Sequence, residues 1–161
     1  MSIKESTVPN RERPFHEYRK ESFSLHSIIN DSIRKLQAHH PGTSLVLRCE
    51  VLPEAYGNRQ ELTEFFERLI GLIMAQPPNG SRLLLHIDCE HATFESNPAR
   101  HQGISLKIHT NITTDDHWKL VNSQVLAQCK MIVNNHNGSL QVNQITGTGC
   151  LFSVSLPGKS Q

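Results

Sequence analysis

The sequence predicts an α+β two-layer sandwich, a mixed β-sheet with three helices packed on one face. Three observations predict it. Apolar residues recur at helical spacing in three stretches and alternate at strand spacing in five. The two kinds interleave in the order α-β-α-β-β-α-β-β, ending on a strand pair joined by a Gly-rich corner. The 161 residues are enough for one domain with its own core.

The first helix starts after Phe23. Ser24 is placed to cap it, and Leu25, Ile28, Ile29, Ile33 and Leu36 form its apolar face. His40-Pro41-Gly42 ends it. Residues 44–52, SLVLRCEVL, put Leu45, Leu47, Cys49 and Val51 on one side of a strand. Pro53 to Asn58 read as a loop. A second helix runs from about Arg59 to Ala75; Leu62, Phe65, Phe66, Leu69, Ile70, Ile73 and Met74 cover so wide a stripe that it must be deeply packed. Pro77-Pro78-Asn79-Gly80 stops it.

Arg82 to Glu90 read as a strand, His91 to Gly103 as a polar loop, and Ile104, Leu106 and Ile108 as the inward side of the next strand. The third helix is predicted from Trp118 to Asn135. Asn137-Gly138 turns the chain into SLQVNQI, and TGTG joins that strand to CLFSVSLP, with Gly147 and Gly149 expected to supply positive φ. Residues 1–21 are polar and read as a linker, 22–158 as the folded domain and 159–161 as a tail.

Composition excludes several function classes. A formal net charge of +1 gives no support for a nucleic-acid or membrane surface. No apolar run reaches the roughly 18 residues of a membrane span, and the polar N-terminus has no signal-peptide apolar region. Cys49, Cys89, Cys129 and Cys150 lie far apart with no CxxC pair, which suits reduced, buried thiols in a cytoplasmic protein better than a metal site. The 10 histidines are scattered. The adjacent His39 and His40 do not share a helix face, so they are read as surface or helix-end residues. No metal site is expected.

Three stretches carry a family resemblance. FSLHSIINDSI (Phe23 to Ile33), LPEAYGNRQELTEFFERLI (Leu52 to Ile70) and IVNNHNGSLQVNQITGTGCLFSVSLP (Ile132 to Pro157) follow one another in the order and spacing of the ATP-binding catalytic domain of sensor histidine kinases, the GHKL ATPase fold. The resemblance spans nearly the whole folded part and implies that fold. It also says where nucleotide-handling residues would stand. The family's asparagine box on the second helix falls on Arg68 and Leu72, with Glu67 beside them. Leucine offers no oxygen to Mg²⁺, and arginine brings positive charge to the cation's place. The Asp of the adenine box falls on Thr110, with no glycine following; Asp115 and Asp116 more simply cap the next helix. The Gly-rich lid box falls on VNSQVL, where Ser123 and Gln124 are polar but no glycine remains to aim backbone N–H groups at phosphate. The lid is cut to about a dozen residues.

Sandwich-forming residues are thus present while those for Mg²⁺ and ATP are missing. The resemblance with these losses implies a pseudo-ATPase, non-catalytic and without a cofactor, in two-component or phosphorelay signalling. Its partners would be dimerisation, phosphotransfer or receiver domains, with no nucleic acid and no direct membrane contact, though a parent protein could carry an anchor. The alternative is a divergent histidine kinase or ATPase using Glu67, Thr110, Asp115, Ser123 and Gln124. A small-ligand sensor reusing the vacated pocket is a third reading. His16 in HEYRKES is similar to the family's phosphoacceptor box, but the ATPase-like part follows too closely for the usual helical hairpin, so a solvated linker is expected there.

Overall fold

The structure is a computed structural model that describes residues 20–40, 42, 44–76, 78, 82–94, 101–112, 123–145 and 149–157, with backbone only at 91–94 and 101–102. Its elements are β1 (Glu21–Ser24), α1 (Leu25–His39), β2 (Leu45–Cys49), β3 (Glu54–Gly57), α2 (Arg59–Met74), β4 (Leu83–Phe94), β5 (His101–Thr110), α3 (Gln124–Asn135), β6 (Ser139–Ile145) and β7 (Gly149–Pro157).

Five strands form one sheet in the order β2-β4-β5-β7-β6. The β2–β4 pair is parallel and the others are antiparallel, so the sheet is mixed as expected. Alternation sets its two faces. Leu83, Leu85 and Ile87 of β4, Leu106 and Ile108 of β5, and Phe152 and Val154 of β7 are buried on the helix side. Leu84 and Ile145 point the other way and are exposed.

The helices cover the buried face by the same logic. Leu25, Ile28, Ile29 and Ile33 of α1, Leu62, Phe65, Phe66, Leu69, Ile70 and Ile73 of α2, and Leu126, Cys129 and Val133 of α3 join one apolar core with the sheet. Helix α2 packs against both α1 and α3 and so lies in the middle of the layer.

Caps fix the helix starts. Ser24 Oγ accepts from Ser27 N–H at 3.1 Å, and Asn58 Oδ1 accepts from Glu61 N–H at 3.0 Å. The end of α3 is a Schellman motif. Asn137 takes a left-handed φ of 60°, its N–H reaches the Asn134 carbonyl at 2.9 Å, and Gly138 N–H reaches Val133 at 2.9 Å. A Cβ on Gly138 would sit 2.1 Å from the Ser155 carbonyl oxygen, so this turn needs glycine to lie against β7.

Several boundaries differ from the sequence reading. The strand read over residues 44–52 spans only Leu45–Cys49, and Val51, expected on its apolar side, is exposed. Residues 54–57, read as loop, form β3, which pairs antiparallel with β1 in a separate two-stranded sheet, Glu21 opposite Gly57 and Ser24 opposite Glu54. Strands this short carry no readable alternation. Glu21, given to the linker, belongs to β1; residues 1–19, including His16, lie outside the described residues. Strands β4 and β5 extend to Phe94 and back to His101, into a stretch read as loop, because backbone pairing continues through polar side chains. Helix α3 begins at Gln124 with Ser123 as its cap, later than the predicted Trp118. Residues 113–122, with Asp115 and Asp116, lie outside the described residues, as does Gly147. Gly149 has the expected positive φ, 139°.

Candidate functional site

The residues at the nucleotide positions are each built into the fold in a different way. On α2, Glu67 and Arg68 stand at the solvent edge of a helix whose inner face is fully buried. Glu67 faces α1, where Lys35 Nζ lies 3.4 Å from its carboxylate. Arg68 faces the other way. Its Nε donates to Glu64 at 2.9 Å, and Nη1 donates to Gln128 Oε1 on α3. Its acidic partner is Glu64, one turn back, rather than the adjacent Glu67, because i,i+4 residues share a helix face. Arg68 thus spans the α2–α3 seam at the place where the resemblance would put a cation ligand. Leu72, one turn further on, is half-buried and packs against the core.

Thr110 ends β5. It is buried, and among the described residues its Oγ1 has no hydrogen-bond partner. Leu85 flanks it on one side and Cys150 on the other. The next residue, Asn111, extends the ladder with its side chain. Its Oδ1 accepts from Leu84 N–H at 2.8 Å, and its Nδ2 donates to the Arg82 carbonyl at 2.9 Å. The chain leaving Thr110 is therefore tied to β4. Ser123 is used as the α3 cap, accepting from Leu126 N–H at 3.0 Å, and Gln124 is exposed as the first helical residue. Among the described residues, no hydrogen bond or ion pair joins Leu72, Thr110, Ser123 or Gln124 to Glu67 or Arg68.

A junction that sequence reasoning missed joins two of the family-like stretches. His136, nearly buried at the end of α3, accepts from Asn58 N–H through Nε2 at 3.2 Å. That acceptor role places the ring proton on Nδ1, which donates to the Ile132 carbonyl at 2.9 Å. Gly57 makes room for the ring: a Cβ there would lie 2.8 Å from His136 Cδ2. Glu61 Oε1 lies 4.0 Å from Nδ1, with no hydrogen-bond partner among the described residues. Lys20, Asn58, Glu61, Asn135 and His136 line a depression of about 350 Å³ above this contact. The signal was a histidine just after a helix and an N-cap asparagine elsewhere, and neither reveals their pairing. His39 and His40 are at the end of α1, as read.

All four cysteines are free, but Cys49, on the edge strand β2, and Cys89, on β4, are only half-buried. Cys129 is fully buried between α2 and α3, and burial pushes its thiol up from 9.0 to about 11, with Glu64 adding to the effect and Arg68 opposing it. Roughly one thiol in a thousand is then ionised at pH 8. Alkylation at that pH should leave Cys129 unmodified in the native protein and modify it in denaturant, read by mass spectrometry of peptides. The sign for stability follows. Between pH 9 and 11 the native thiol keeps a proton that the unfolded one loses, so this contribution is present below 9 and falls as pH rises through about 11.

Among the described residues, three helices lie over one face of a mixed five-stranded sheet whose last two strands form a hairpin, a fold this chain shares with histidine kinases of known structure. No family model matches the chain, and no curated protein matches it by sequence. Solved structures do match. The mycobacterial sensor histidine kinase MprB superposes with a TM-score of 0.63 at 16% identity, covering 89% of this chain and 100% of that one. Histidine kinase AdeS of Acinetobacter baumannii gives 0.63 at 16%, covering 92% and 72%. The cytoplasmic segment of histidine kinase QseC gives 0.62 at 12%, covering 94% and 89%. At such identities the likeness is one of fold, and activity has to be argued from the residues.

Proposed function

We propose that this chain is a non-catalytic, histidine-kinase-like domain of two-component or phosphorelay signalling, a pseudo-ATPase that works by contacting other signalling proteins in the cytoplasm. The observation that carries the reading is the α2–α3 seam. Where the resemblance expects oxygen ligands for Mg²⁺, Arg68 binds Glu64 and Gln128, and Leu72 packs against the core. A guanidinium there repels a divalent cation, and a leucine offers it nothing. Two further features support it: Thr110 is confined between strands, and Ser123 is used as a cap. The expected partners are dimerisation, phosphotransfer or receiver domains. No helix among the described residues is long and apolar enough to cross a membrane.

Isothermal titration with Mg-ATP and Mg-ADP tests the proposal. No saturable heat is expected, and submillimolar binding would sink it. The same titration on Leu72→Asn sharpens the result. The amide enters a half-buried apolar contact, so the variant is expected to lose about 1–3 kcal/mol of stability and gain no nucleotide affinity. A stable variant that binds Mg-ATP would show that one side chain alone had closed the site.

A further inference from the structure

The open face of the sheet carries a cluster that strand pairing creates. His86 of β4 and His109 of β5 are directly opposed in the antiparallel ladder. Their rings lie nearly parallel, tilted by 29°, with centroids 5.5 Å apart. Asp88, two residues along β4, projects to the same face and places Oδ2 3.4 Å from His109 Nε2. One ligand atom from each of the three residues lies within 4.8 Å of the other two.

From this geometry we propose that His86, Asp88 and His109 form a binding site for a divalent transition-metal ion of the zinc type. Two imidazoles and one carboxylate are a borderline donor set, suited to zinc, nickel or copper rather than to magnesium or calcium. Around a tetrahedral zinc with bonds of 2.0–2.2 Å, ligand atoms sit about 3.3 Å apart. The Asp88–His109 pair already has that separation, and the remaining closure needs only side-chain rotation.

The scaffold is rigid where it matters. Leu85, Ile87 and Ile108, which alternate with the cluster along the two strands, are anchored in the core. The site is partly shielded yet accessible, the Asp88 side chain being 26% and that of His109 41% exposed. The histidines also border a depression of about 250 Å³ lined by Leu84, Thr110, Asn111, Ile145 and Cys150, which leaves room for a water or an outside ligand in a fourth position. Two groups work against the ion: Lys107 is directly opposite Asp88, and Arg48 of β2 is directly opposite His86. Glu90, two residues beyond Asp88 on the same face, partly offsets them.

This site is independent of the nucleotide positions, so its test is separate. The full chain is titrated with zinc chloride by calorimetry, and with cobalt(II) by absorption, after a chelator wash. The expected result is one saturable zinc site per chain, with cobalt giving the visible bands of a tetrahedral centre. His86→Gln and His109→Gln should each weaken zinc by roughly tenfold or more. His39→Ala, on the exposed end of α1, should leave the affinity unchanged. Lys107→Gln should tighten it by removing the opposed charge, and magnesium should not compete. Circular dichroism melts establish that each variant is folded. The absence of a saturable site, or unchanged affinity in folded His86→Gln and His109→Gln, would overturn the proposal.

Discussion

Phe65→Ala is expected to cost about 3–5 kcal/mol, the usual range for removing a fully buried aromatic ring. Phe65 lies on α2, the helix in the middle of the layer, and has no solvent exposure. Its ring meets that of Phe66 edge to face, centroids 4.8 Å apart at 76°. Edge-to-face pairs add about 0.5–1.5 kcal/mol beyond the area they bury. The neighbouring helices are held by their own contacts with the sheet, so they cannot collapse into the space left behind, and the cavity penalty should be near full. Against a typical stability of about 5–15 kcal/mol, such a loss leaves the domain marginal at best. Urea denaturation measures it: the midpoint should fall sharply while the slope stays constant. A loss below about 1 kcal/mol would mean that the helix layer is loosely packed there.

Gly149→Ala should cost less but still about 2–4 kcal/mol, combining backbone strain with overpacking. The position has φ of 139°, a conformation L-residues rarely adopt. A Cβ there would also sit 2.0 Å from the Thr110 carbonyl oxygen and 2.7 Å from Asn111 Cα. Both obstacles are backbone, and Asn111 is fastened to β4 through its amide, so neither gives way easily. Thermal melts of the purified variant check this. If Gly149→Ala melts with the parent protein, the start of β7 does not press on the end of β5 as described.

Much of the fold was legible because its core elements follow simple periods. The wide apolar stripe of α2 and the alternation through Ile104, Leu106 and Ile108 each bury the residues that the pattern singles out. Ser24 capped its helix as the sequence suggests. The two-stranded sheet was not legible, since Glu21–Ser24 and Glu54–Gly57 are each too short to show a period. The site was less legible than the fold. That Arg68 and Leu72 are poor ligands follows from residue type alone. That Arg68 bridges to Gln128, or that His136 holds the Asn58 backbone, depends on packing between elements far apart in the chain. His86, Asp88 and His109 show the same limit. They appear as scattered polar residues until the register of β4 against β5 sets them side by side.

The small β1–β3 ladder has a mechanical consequence. Both α1 and α2 begin where its strands end, capped by Ser24 and Asn58. Two paired strands therefore act as a common bracket for the starts of two helices. Because those strands bond to each other and not to the five-stranded sheet, the two helix starts are tied together by hydrogen bonds of their own.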